Sequence, residues 1–191
     1  MRIAIFGGSF NPVHTGHAII ASTVARQEYV DEVWMMVSPQ NPLKADKTMM
    51  PEEERLQLVR LVADETEGVY GSDFEFGLPR PTYTYNTLCR LRETYPQHEF
   101  TLLIGSDNWR IFSRWRNSLN IIEEFGVIIY QRPDTPVEGP FPRGVRLLDN
   151  VPLMLISSSY IRDCIRSGED IRFLVPDVVY DKIKERNDGR I

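Results

Sequence analysis

Two histidines, His14 and His17, follow a Gly7-Gly8 pair and Pro12, and Arg162 follows a Ser157-Ser158-Ser159 run far along the chain. An imidazole is a directional hydrogen-bond donor, a guanidinium can grip two oxygens of one anion, and serine hydroxyls add further donors. Glycines let backbone approach a ligand closely. These types together suit an anion with several oxygens, a phosphate above all. Taken singly each is ordinary, since a His or Ser near a helix start is commonly a cap and an Arg on a helix is commonly solvated. The conjunction points to phosphate. It is not the dinucleotide fingerprint, nor a Walker loop, because no Gly-Lys-Ser/Thr follows Gly8.

The surrounding residues supply the elements that must hold these groups. Ile3–Phe6 is an apolar strand pattern that stops at Gly7-Gly8. Pro12 enforces a turn, and Thr15 is the expected N-cap of a helix through Ala18, Ile19, Ala21 and Val24. His14 and His17 then bracket a first turn whose unpaired N–H groups and positive dipole end favour an anion. The second segment repeats this logic. Pro152–Ile156 reads as a strand, Ser158 or Ser159 as an N-cap, and Ile161 and Ile165 as an inward helix face. Arg162 would fall in that helix's first turn, where a cation is disfavoured, and a bound phosphate would resolve the conflict.

Further strand patterns lie at Val33–Val37, Val69–Phe76, Phe100–Ile104, Gly126–Tyr130 and Val145–Leu148. Helical patterns open at Pro51-Glu52-Glu53-Glu54 and cover Thr84–Tyr95, Asn117–Phe125 and Pro176–Arg186. Such alternation predicts an α/β, Rossmann-like, doubly wound sheet, mostly parallel, with helices on both faces. Ligands of such sheets bind at the carboxyl ends of the strands. Ser38–Met50 reads as a loop over those ends, Gln131–Gly144 as a surface excursion, and the tail from Asn187 as frayed.

With 191 residues, 42% hydrophobic and 26% charged, the expectation is one domain spanning residues 1–191. The net charge of −5 argues against a general nucleic-acid binder, yet a local positive pocket can still attract a small anion. No apolar run approaches the ~20 residues of a membrane span, and the first one breaks at Gly7, too early for a signal peptide. Cys89 and Cys164 fall in helical patterns and suggest no disulfide framework, so a reducing cytoplasm and no membrane are expected. Self-association is left open.

The middle of the chain adds candidates for reading a substrate. Pro79-Arg80-Pro81-Thr82-Tyr83-Thr84 joins a strand to a helix, with Thr84 as the expected N-cap and Tyr83 as a loop anchor. Ile104-Gly105-Ser106-Asp107 ends a strand with a glycine turn and a carboxylate, which by pattern would cap a helix over Asn108–Phe112. Trp109 and Trp115 follow, more naturally core than ligand platforms.

The string Gly-Gly-Ser-Phe-Asn-Pro-Val-His-Thr-Gly-His from Gly7 to His17 resembles the nucleotidylyltransferase superfamily, and specifically the nicotinate-nucleotide adenylyltransferases. Ile156-Ser157-Ser158-Ser159-Tyr160-Ile161-Arg162 resembles the superfamily's second signature, and the likeness runs from Ile3 to about Val178. It implies adenylyl transfer from ATP to nicotinate mononucleotide, giving deamido-NAD and pyrophosphate in NAD biosynthesis. His14, His17, Lys44 and Arg162 would be catalytic. ATP would meet Gly7, Gly8, Ser9, Phe10, Gly105, Asp107, Arg132, Ile156, Ser158 and Ser159 as well. The mononucleotide would meet Ser9, Lys44, Thr82, Tyr83, Thr84 and Trp115, whose indole would stack on the pyridine, leaving Trp109 to packing. Magnesium would arrive with ATP, and no protein metal site is implied. Relatives often carry a His before that lysine, where this chain has Leu43, and Lys47 is an alternative to Lys44. A phosphopantetheine adenylyltransferase, a cytidylyltransferase and a noncatalytic nucleotide sensor are the competing readings. Nicotinate and nicotinamide mononucleotide are not distinguished by side-chain identity.

On this reading His17→Ala lowers kcat by roughly 10²–10³-fold, the scale of one preorganised donor to a charged transition state. Pyrophosphate release by the folded variant measures it, and near-normal turnover would remove His17 from the chemistry.

Overall fold

The computed structural model describes residues 1–39 and 49–186. Six parallel strands, β1 (Arg2–Gly8), β2 (Glu32–Val37), β3 (Val69–Ser72), β4 (Glu99–Gly105), β5 (Val127–Tyr130) and β6 (Val145–Leu147), form one sheet in the order β3-β2-β1-β4-β5-β6. Helices α1 (Thr15–Ala25), α2 (Glu52–Asp64), α3 (Thr84–Thr94), α4 (Ser106–Ile111), α5 (Ser118–Glu124), α6 (Ser158–Arg166) and α7 (Asp177–Arg186) complete it. The strands are apolar on both faces because both are covered. Ala4 and Phe6 pack into a core with residues of α1, α2, α6 and α7, whereas Ile3 and Ile5 pack into a second core with α3 and α5. The doubly wound α/β expectation holds, and the sheet is parallel throughout.

The chain runs outward from β1 to β3, then crosses back to β4 on the other side of β1. Strand order thus reverses between β1 and β4, and such a reversal leaves a crevice at the carboxyl ends. β1 continues through Gly7 and Gly8, which pair with Met36 and Val37, two residues beyond the stop expected at Phe6. Phe6 pairs in register with Leu103, and Gly105 with Tyr130, so Gly7, Gly8, Gly105 and Tyr130 meet at one edge.

Several local expectations need correction. Pro152–Ile156 joins no strand; Val145–Leu147 takes the edge position instead. Pro152 offers no N–H to a ladder, and Leu155 is 76% exposed. Val69–Phe76 divides into β3 and a 3-10 turn over Phe74–Gly77. Helix caps are displaced by one or two residues. His14, not Thr15, caps α1, because Thr15 is tied by its N–H to Leu174 O (3.0 Å) and by its hydroxyl to Phe173 O (3.2 Å). Tyr83, not Thr84, caps α3, its carbonyl accepting from Thr87 N. Gly105, not Asp107, precedes α4, which begins at Ser106. Ser157 caps α6 by accepting from Tyr160 N at 3.2 Å, so Arg162 lies past the first turn and its conflict with the dipole is eased. Leu43, Lys44, Lys47 and the tail from Asn187 lie outside the described residues.

Candidate active site

The loop after β1 is held by side chains from distant segments. Arg162 donates from Nη1 to Asn11 O at 2.7 Å, and Ser158 Oγ donates to Pro12 O at 2.9 Å. The Arg162 Nη2 also reaches Ser159 Oγ at 3.2 Å. The three serines of the second motif therefore act differently. Ser157 caps the helix, Ser158 ties the β1 loop, and Ser159 supports the arginine. Ile156 is half-buried against the core beneath them. Both phosphate-type segments meet at the carboxyl edge of β1, as their residue types suggest.

His14 and His17 stack there, with ring centroids 3.6 Å apart. His14 N donates to His17 Nδ1 at 3.2 Å, which leaves the His17 proton on Nε2. Burial lowers both imidazoles, with Arg132 adding to the effect: His14 falls to about 3, and His17 lies well below its ordinary value. Both are neutral donors at neutral pH. Gly16 makes this arrangement possible, since a Cβ there would stand 3.0 Å from His14 Nδ1. Phe10 packs edge-on against His17 with centroids 4.9 Å apart, and Gly7 is open to solvent beside it.

Across the crevice, Asp107 projects from α4 and Arg132 follows β5, with their charged atoms 3.7 Å apart. A Cβ at Gly105 would meet Asp107 Oδ1, so glycine leaves room for that carboxylate to fold back over the strand end. Asp107 Oδ1 has no hydrogen-bond partner. Tyr130 beneath is pushed up to about 12, chiefly by burial and then by Asp107. The fully buried Ser106 hydroxyl accepts from Arg132 N at 2.8 Å and fixes the start of that loop.

The third group of predicted residues lies beside α3 and the turn after α4. Thr82 Oγ1 donates to Glu75 at 3.3 Å, and Thr87 Oγ1 donates to the other Glu75 oxygen at 2.8 Å. Burial raises Glu75, while these hydroxyls partly offset the rise. Tyr83 is partly exposed with Arg116 over its ring at 5.1 Å, which joins the Thr82–Thr84 segment to the neighbourhood of Trp115. Trp115 is half-buried against Phe112, and its indole N–H has no acceptor. Trp109 stacks on Phe112 at 5.2 Å and meets Phe141, a packing position as expected.

Sequence reasoning missed Asn11, Arg55, Glu75 and Ser106, all buried polar residues. Arg55 stands next to three acids and reads as part of a solvated charged face, although its spacing of four from Val59 places it on the apolar stripe of α2. Two surface clefts, one along α2 with Gln57 and Arg60 and one with Arg26, Tyr29 and Arg146, lie apart from these groups. Among the described residues no helix is long and apolar enough to cross a membrane.

The cytidylyltransferase-like family pattern matches residues 5–164 of the chain. A protein of Bacteroides thetaiotaomicron named "Probable nicotinate-nucleotide adenylyltransferase" is 47% identical over 97% of this chain and 92% of its own length. A Bacteroides fragilis protein of the same name is 44% identical over 98% of this chain and 94% of its own. The solved structure of the Plasmodium falciparum nicotinic acid mononucleotide adenylyltransferase complexed with NaAD superposes with a TM-score of 0.82. It covers 97% of this chain and 96% of its own at 21% identity, a likeness of fold.

The neutral histidines carry a pH dependence. Unfolded His14 takes a proton near its ordinary value of 6.5, whereas folded His14 resists protonation down to about 3. Its contribution to stability is complete above the higher value and drains as pH falls toward the lower. His14→Asn should therefore flatten the fall of Tm between pH 7 and pH 4 relative to the unsubstituted protein, as thermal unfolding across that range would show. Parallel curves would mean that His14 does not titrate this way.

Proposed function

This chain belongs to the nicotinate-nucleotide adenylyltransferases of the cytidylyltransferase-like family, and from that premise we propose that it transfers the adenylyl group of ATP to nicotinate mononucleotide, releasing pyrophosphate and forming deamido-NAD. It is a nucleotidyltransferase of NAD biosynthesis. The observation that supports the substrate geometry best is the meeting of the His14–His17 stack with the Arg162 and Ser158 grip on one strand-end loop.

In this reading the mononucleotide phosphate, already ionised, attacks the α-phosphorus of ATP in line, and pyrophosphate leaves. The protein contributes positioning and neutralisation of charge rather than covalent catalysis. Backbone of Gly7 to Phe10 faces the phosphates. The Nε2–H of His17 donates to the oxygen on which charge accumulates, and the tautomer fixed by the His14 N–H bond fits that role. Neutral imidazoles donate hydrogen bonds without adding buried charge, whereas Arg162 and Arg132 supply lasting positive charge. Lys44 joins them on sequence pattern alone. Magnesium enters with ATP as part of the substrate.

Asp107 and Gly105 suit the nucleotide sugar, because an ionised carboxylate can accept from ribose hydroxyls. Thr82, Tyr83 and Thr84 would present backbone N–H groups to the nicotinate carboxylate, and Trp115 would lie against the pyridine ring. Both cysteines are free, which suits the cytoplasm.

A pyrophosphate-release assay with Mg·ATP and, separately, nicotinate mononucleotide, nicotinamide mononucleotide or phosphopantetheine tests the acceptor; highest kcat/KM with nicotinate mononucleotide is expected, and preference for phosphopantetheine would overturn the proposal. Trp115→Ala should raise the mononucleotide KM by about 10-fold, the loss of one cation–π stack of ~1–2 kcal/mol, with the ATP KM little changed. Equal rises in both would argue against stacking.

A further inference from the structure

Arg55 is 1% exposed and, among the described residues, forms no ion pair with a carboxylate; its guanidinium is spent on backbone carbonyls. Nε donates to Met50 O at 3.0 Å, Nη1 to Ser9 O at 2.5 Å and Ser38 O at 2.9 Å, and Nη2 to Pro39 O at 3.3 Å. These acceptors come from the loop after β1, the end of β2 and the entry to α2. Burying a cation this way costs desolvation, which pulls the guanidinium below its ordinary pKa; the offset is a planar fork that satisfies carbonyls no helix or sheet reaches. Met50 continues the chain of contacts, since its N–H donates to Asn11 Oδ1 at 3.1 Å. Asn11 is 3% exposed, and its carbonyl is the acceptor of Arg162 Nη1.

We propose that Arg55 and Asn11 are positioning residues for the phosphate-facing loop: Arg55 fixes the Ser9 end, Asn11 relays that anchor through Met50, and Arg162 closes the other side. Arg55 and Arg162 thus hold Ser9–Asn11 between them, from α2 and from α6. The consequence is that the amides from Gly8 to Phe10 and the His14 N-cap are set before nucleotide arrives. The assignment of that loop to ATP rests on the function proposed above. Lysine cannot reproduce this role, because a single ammonium cannot reach carbonyls on three segments in the geometry of a fork.

Arg55→Lys and Asn11→Ala test it with two readouts. The first is binding of the non-transferable analogue α,β-methylene-ATP by calorimetry, together with kcat and KM. Both variants, folded by circular dichroism, should bind the analogue about 10-fold more weakly and lose on the order of 10² in kcat, the scale of a small misplacement of positioned groups. Arg55→Met should be no better than Arg55→Lys. The second is hydrogen exchange of the Gly8–His14 amides without ligand, which should quicken locally while the β4 and β5 amides stay protected. A merely structural residue would lower Tm and leave analogue affinity, kcat per folded molecule and this local pattern unchanged, and that result overturns the proposal. If Arg55→Lys does not fold, Asn11→Ala decides by the same measurements. If the unsubstituted protein fails to bind the analogue, the ATP assignment falls, while the exchange comparison still decides whether the clamp exists.

Discussion

The short loop from Ser9 to Pro12 imposes the constraint on which the rest of the site depends. It leaves the sheet before α1 begins, so its carbonyls find no ladder or helix N–H to accept from. An unsatisfied buried carbonyl is costly, and here Arg55, Arg162 and Ser158 supply the missing donors. These donors belong to helices far apart in the sequence. The loop's shape therefore exists only once α2 and α6 have both docked on the same face of the sheet, which is the core that contains Phe6, Leu56, Val59 and Ile161. Hydrophobic burial delivers the helices, and hydrogen bonds to backbone then fix the loop.

Electrostatics follow from the same packing. A histidine capping a helix on the surface would titrate near neutrality. Here the stack on His17, with Phe10 and Phe6 around it and Arg132 across the crevice, removes water and disfavours the protonated form. Neutral donors cost less to bury than two cations would, and the positive charge is placed instead on arginines that make other contacts. The glycines serve this compactness at two points. Gly16 admits the His14 ring, and Gly105 admits the Asp107 carboxylate, in each case by the absence of a Cβ.

Much of this was legible in the chain itself. Apolar runs marked all six strands, with β3 drawn too long and β1 too short, since period and punctuation are local properties. Pro152–Ile156 misled because an apolar run looks the same whether or not a neighbour is present to pair with it. Helix starts were displaced for a related reason. Thr15 and Ser158 are good caps by type, yet Thr15 bonds Phe173 and Ser158 bonds Pro12, partners that local sequence cannot reveal.

The sequence by itself pointed to a phosphate at the strand ends, through the conjunction of His14, His17, Ser158, Ser159 and Arg162 rather than through any one of them. It also determined the family, through the order and spacing of those groups. Tertiary structure alone decided which nitrogen of His17 carries the proton, that both histidines are neutral, and that Arg55, Asn11, Glu75 and Ser106 are buried supports rather than solvated polar groups. The physical reason is that a residue's type sets what it can donate or accept. Its protonation and its partner are set by desolvation and by contacts between segments brought together across the sheet.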